Sequence, residues 1–100
     1  MKKYFISSID WIPYEKGGRK KLPPKGTRYC PLLRIYHNND FEDWSMDFIC
    51  PDYTKTDIIE FKFLVDDGPY EKLKISESYD VHEGNKKVAQ VKIIDYIVIS

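Results

Sequence analysis

The sequence is short of the residues on which catalysis and metal binding depend. Its 100 residues include two cysteines, Cys30 and Cys50, and two histidines, His37 and His82. The cysteines lack CxxC spacing and each precedes a proline, Pro31 and Pro51, so they read as small hydrophobes in a reduced interior. The histidines stand in no metal-ligand or triad-like spacing and read as surface or turn residues. No serine sits in a GxSxG elbow, and no GxxxxGK[ST] loop is present, which removes the motifs for nucleophilic catalysis and nucleotide hydrolysis. Asp66-Asp67 reads as an acidic turn, because a hard cation takes more oxygen ligands than two adjacent carboxylates offer. The chain is expected to be a non-enzyme with no cofactor and no metal.

Net charge is also missing. Sixteen Lys and Arg balance sixteen Asp and Glu, so the total gives no reason to expect DNA or a membrane surface as partner. No apolar run approaches the roughly 20 residues that cross a bilayer; the segment Ile93 to Ile99 is short and contains Asp95. Asp10 interrupts the first apolar stretch too early for a signal-peptide core, which predicts a cytoplasmic location. The charge is unevenly spread, however. Residues 1–36 hold nine Lys and Arg against Asp10 and Glu15, a sum of +7, which leaves −7 on residues 37–100. A basic face follows if folding keeps the halves apart.

What is present is apolar and aromatic: 42% hydrophobic residues and 15% aromatic ones, enough to fill one core. Residues 1–100 are expected to form a single all-β domain, because a period of two recurs and no helical period is sustained. Strands are expected at Tyr4 to Ile12, at Arg28 to Tyr36, through Trp44, Met46, Phe48 and Cys50, and through Ile59, Phe61, Phe63 and Val65. A closing hairpin is expected from Tyr79 to Glu83, over Gly84-Asn85, and out along Val88, Ala89, Val91 and Ile93. Glu15 to Thr27 carries Gly17-Gly18, Pro23-Pro24 and Gly26 and reads as a basic loop. Residues 70–78 show too little pattern to assign. Six strands suggest a closed barrel or a two-sheet sandwich.

Two blocks carry a family resemblance. Glu15-Lys16-Gly17-Gly18-Arg19-Lys20, followed by Lys25-Gly26-Thr27-Arg28-Tyr29-Cys30-Pro31, resembles the Gly-Gly-Arg stretch of the C-terminal β-barrel domain of elongation factor Tu. Tyr79-Asp80-Val81-His82-Glu83-Gly84-Asn85-Lys86-Lys87-Val88-Ala89 is similar to that domain's closing hairpin. The resemblance implies a six-stranded antiparallel Greek-key barrel without GTPase activity. In that family the Arg and His after Gly-Gly, matched by Arg19 and Lys20, and the glycines after the closing Glu, matched by Gly84 and Asn85, face tRNA.

The expected binding residues are therefore Arg19, Lys20, Lys21, Lys25, Arg28, Gly84 and Asn85, with charge for phosphates and with Tyr14 and Tyr29 near enough in sequence to stack on bases. Trp11, Trp44, Tyr53 and Tyr70 offer either an aromatic contact patch or core filling. A protein partner is the first expectation. RNA binding through the loop around Arg19 is the alternative.

Overall fold

Strands whose apolar residues alternate must bury one face, and here they do so by closing on themselves. The structure, a computed structural model, describes residues 2–99. Its strands are β1 (Lys2–Trp11), β2 (Arg28–Tyr29), β3 (Leu32–His37), β4 (Asp40–Ile49), β5 (Ile58–Phe63), β6 (Ser78–Glu83) and β7 (Lys86–Ile99). Each pairing is antiparallel, and the order β4-β3-β6-β7-β1-β5 returns to β4 as a closed six-stranded barrel. β3, β4 and β5 are successive neighbours, and β6 returns after the long connection 64–77 to lie beside β3, which is Greek-key order.

β2 is a short outer strand on β4, in the register that β3 continues: Tyr29 faces Phe48, and Leu32 faces Ser45. Pro31 separates the two because it has no N–H to give. Its carbonyl still accepts from the Met46 N–H at 2.8 Å. The six strands read from alternation thus correspond to the six of the barrel, with the second interrupted at Cys30-Pro31.

Met46, Phe48, Cys50, Ile59, Phe61 and Phe63 are buried, as the period of two requires. Val65 is exposed, against expectation, because β5 ends at Phe63 and a turn begins in which the Gly68 N–H donates to the Val65 carbonyl. Cys30 is likewise exposed rather than interior; it falls on the outer face, with its Sγ 3.8 Å from Asp47 Oδ1. Val88 and Ala89 are adjacent yet both buried, since a bulge shifts the β6–β7 register between Val81 and His82.

Residues 70–78 open with a 3₁₀ turn at Tyr70–Lys72 and bury Tyr70 and Leu73. Tyr70 stacks on Phe5 at 6.0 Å and meets Phe63 edge-on at 5.1 Å. At the Trp11 end of β1, Trp11 packs against Tyr29 and Tyr53. Trp11, Trp44, Tyr53 and Tyr70 are therefore core filling, with Tyr70 buried and the other three partly buried against the core. They form no exposed contact patch. No helix among the described residues is long and apolar enough to cross a membrane.

Folding also interleaves the two charged halves. Arg34 pairs with Asp43 at 2.8 Å, Arg28 with Asp47 at 2.9 Å, and Arg19 with Glu83, so each joins a cation of residues 1–36 to an acid of residues 37–100.

His82 is buried, which corrects its reading as a surface residue, whereas His37 is exposed beside Glu42 at 2.6 Å. Neither ring nitrogen of His82 makes a hydrogen bond of ordinary geometry. Burial, then the Arg34 charge, lowers its pKa from the usual 6.5, against the opposing pull of Asp80 and Asp43. The unfolded chain therefore binds the proton more readily, and the stability gained above pH ~6.5 is lost as pH falls through the depressed folded value. Denaturant midpoints measured between pH 7 and pH 5 should fall for the wild type and stay flatter for His82→Gln. Equal slopes for both would assign the pH dependence to other groups.

Candidate functional site

The basic loop begins where β1 ends. Pro13 precedes a 3₁₀ turn at Tyr14–Lys16, and Gly17 then takes φ 98°, a left-handed conformation that suits glycine. Gly18 is packed so closely that a Cβ would lie 1.7 Å from the Ile12 carbonyl oxygen. Together the two glycines turn the chain back against the barrel and deliver Arg19.

Arg19 meets the closing hairpin there. Its Nη1 donates to Glu83 Oε2, the Tyr29 hydroxyl donates to the same oxygen, and its Nε donates to the Lys21 carbonyl at 2.8 Å. The guanidinium also lies over the Tyr29 ring at 5.5 Å. Burial acts to raise the Glu83 carboxyl, but the Tyr29 hydroxyl and Arg19 outweigh it and hold it below the ordinary carboxylate range. The two sequence blocks, 64 residues apart at these partners, thus form one clasp.

Beside the clasp lies a shallow depression of about 360 Å³ lined by Arg19, Lys20, Lys21, Glu83 and Lys86. Lys20 and Lys21 are exposed, and Gly84, with φ 61°, and Asn85 make the neighbouring exposed turn. Lys25 and Arg28 lie elsewhere. Lys25 is exposed next to Gly26, whose N–H donates to the Cys50 carbonyl at 2.9 Å; the Asp52 carboxyl is lowered chiefly by hydrogen bonds from Thr54, to which the Lys25 charge adds. Arg28 is committed to Asp47 in a two-pronged contact at 2.9 and 3.1 Å. Among the described residues, no group of three or more His, Cys, Asp and Glu is placed to hold a metal ion.

Arg28 and Asp47 border a second, larger feature, which the sequence did not disclose. The β4–β5 ladder holds only two residue pairs, Met46 with Phe63 and Asp47 with Lys62. The Leu64 N–H donates to the Ser45 carbonyl at 2.9 Å, so alternation turns the odd-numbered peptide groups of this part of β4 toward β5. On β5 the Ile9 N–H reaches the Asp57 carbonyl at 2.8 Å, so the even-numbered groups turn toward β4. Ile49 and Glu60 would pair next, and they do not.

Where the ladder stops, the barrel wall opens into a groove of about 510 Å³, within the size range of ordinary ligand pockets. Its apolar wall is Tyr4, Ile49, Pro51 and Ile58. Ile49 is 59% exposed and Ile58 40%. The polar rim is Arg28, Asp47, Glu60 and Lys62, with Lys62 Nζ 3.8 Å from Asp47 Oδ2. The Arg28 contact, working against burial, holds Asp47 below its ordinary range, and the rim as a whole carries two formal charges of each sign. The one sequence signal was Ile49, a large hydrophobe on the outward face of an alternating strand.

Comparison of the chain with protein-family models, with curated proteins and with solved structures gave no match.

Proposed function

We infer that the protein is a non-enzymatic, cytoplasmic binding module that engages a protein partner through the groove between β4 and β5. The observation that carries this reading is an exposed apolar wall, Ile49 and Ile58 above all, at a place where the barrel's own pairing ends. The arginines of the basic half, in contrast, are paired with acids, which weakens the case for a continuous phosphate-binding face. The Greek-key order and the meeting of Gly17-Gly18-Arg19 with Glu83-Gly84 support kinship with the elongation factor Tu C-terminal barrel. Kinship of that kind carries fold more safely than partner. The second reading, RNA binding, rests on Lys20, Lys21 and Lys86 around the clasp.

One comparison separates them. Tagged wild-type chain is recovered from its native host beside Ile49→Glu/Ile58→Glu and Lys20→Ala/Lys21→Ala/Lys86→Ala, with protein and RNA both identified. These side chains are exposed, so thermal stability should barely change. A protein that is retained by the lysine variant and lost with the groove variant is the expected result. If RNA is recovered instead, with a log–log salt slope that drops by about 0.7–0.9 for each lysine removed, the loop is the binding site and the groove reading fails.

A further inference from the structure

An exposed groove accepts many shapes, but an interrupted ladder favours one. The peptide groups of Ile49 and Glu60 face into the seam without a ladder partner. Buried polar groups of the main chain are satisfied almost without exception, and covering this groove with an apolar surface alone would strand them. An extended chain brings donors and acceptors in the same spacing and also sends alternate side chains toward the walls.

The charges narrow the occupant further. Arg28 and Lys62 are offset by Asp47 and Glu60 around the rim. A strongly charged segment, or a phosphate backbone, gains nothing there. The apolar wall of Tyr4, Ile49, Pro51 and Ile58 matches aliphatic or aromatic side chains.

A second strand stretch is also left open, and it makes an instructive contrast. Lys92 is the last β7 residue in register with β6, and Ile93 still exchanges main-chain hydrogen bonds with Ser76 and Glu77; beyond it β7 pairs with β1 alone and exposes Ile94, Tyr96, Ile97 and Val98. There the Asp95 carboxylate accepts the Tyr96 N–H at 2.8 Å and occupies a main-chain donor, and an acidic side chain of this kind discourages strand addition. No side chain does this for Ile49 or Glu60 among the described residues.

We propose that the β4–β5 seam binds an uncharged, extended peptide segment of a partner as an added strand, with main-chain hydrogen bonds to Ile49 and Glu60 and an apolar side chain between Ile49 and Ile58. The proposal rests on the protein-binding reading above and specifies the chemistry of its partner.

End-capped peptides of random sequence, immobilised as an array, provide the probe. Wild-type protein is expected to select uncharged sequences with alternating apolar residues, and Ile49→Glu/Ile58→Glu to lose them. For a selected peptide, N-methylation is then scanned along its main chain. Methylation in one phase should weaken binding about tenfold per lost hydrogen bond, and methylation in the other phase should leave it unchanged. Amide exchange at Ile49 should slow when the peptide binds.

Equal effects in both phases, with no change at Ile49, would overturn strand addition and leave docking at the groove standing. An array that selects nothing, while a folded partner is still lost with the groove variant, would do the same. Peptides that bind undiminished to the groove variant would overturn both readings.

Discussion

Phe61→Ala is expected to lower the unfolding free energy by about 3–5 kcal/mol, the cost of emptying a large aromatic site that cannot collapse. Phe61 is fully buried on β5, stacked on Phe5 at 5.3 Å and edge-on to Phe63 at 6.4 Å. Neither neighbour is free to fill the space, because Phe5 is held on β1 between β5 and β7, and Phe63 is braced by Trp44 and Tyr70. A domain of this size commonly has about 5–15 kcal/mol of stability, so the variant should lose a large part of it. Urea denaturation followed by circular dichroism measures the effect. An unchanged midpoint would mean that the ring is outside the core, and the inward set of β5 would have to be redrawn.

Gly18→Ala should be nearly as damaging, although it adds a single methyl group to a loop. The added Cβ would sit 1.7 Å from the Ile12 carbonyl oxygen and 3.1 Å from that of Pro13. Those are main-chain atoms at the end of β1, where the Ile12 N–H is bound to the Val88 carbonyl and the Gly18 N–H to Pro13, so relief requires the loop to move as a unit. The expected loss is at or beyond the upper end of the roughly 1–3 kcal/mol typical of overpacking. It should be accompanied by loss of the Arg19–Glu83 contact, visible as a Glu83 carboxyl that titrates closer to its ordinary value. Gly17→Ala is a weaker variant, since open space surrounds that position and only its positive φ is strained. A Gly18→Ala protein with wild-type stability and an intact clasp would remove the steric account of the Gly-Gly-Arg block.

Alternation carried most of the fold. It located the barrel strands because each buries one face, and side-chain period reports faces directly, but it began β4 at Trp44 rather than Asp40 and stopped β7 at Ile93, well short of Ile99. It could not report where a ladder ends, which depends on how neighbouring strands diverge in space; the β4–β5 seam was invisible for that reason. Bulges defeated it locally. The shift between Val81 and His82 changes the phase of β7, and His82 turned out buried. Residues 70–78 were unreadable because Tyr70 and Leu73 are placed by the barrel end they cover, with no repeat along the chain. Of the residues expected to bind, Arg19, Lys20 and Lys21 line one depression, whereas Arg28, included for its charge, borders the other groove and Lys25 lines neither. The partner that organises Arg19 lies on the last hairpin, and only the fold brings it there.

The place of β1 has a consequence for how the chain reaches this state. β1 is bound on one side by β5 and on the other, over most of its length, by β7, so the first strand made is completed by the last. Contacts of such sequence separation incur a large loop-closure entropy before any of them is rewarded, which places the protein among slow, millisecond-to-second folders. Until β7 is available, Phe5 and Ile9 have no closed core, although the acids that pair with Arg19, Arg28 and Arg34 already precede it in the chain. A ribosome-bound intermediate that ends before residue 86 is therefore an open, apolar sheet with unpaired edges, exposed to aggregation and to capture by chaperones.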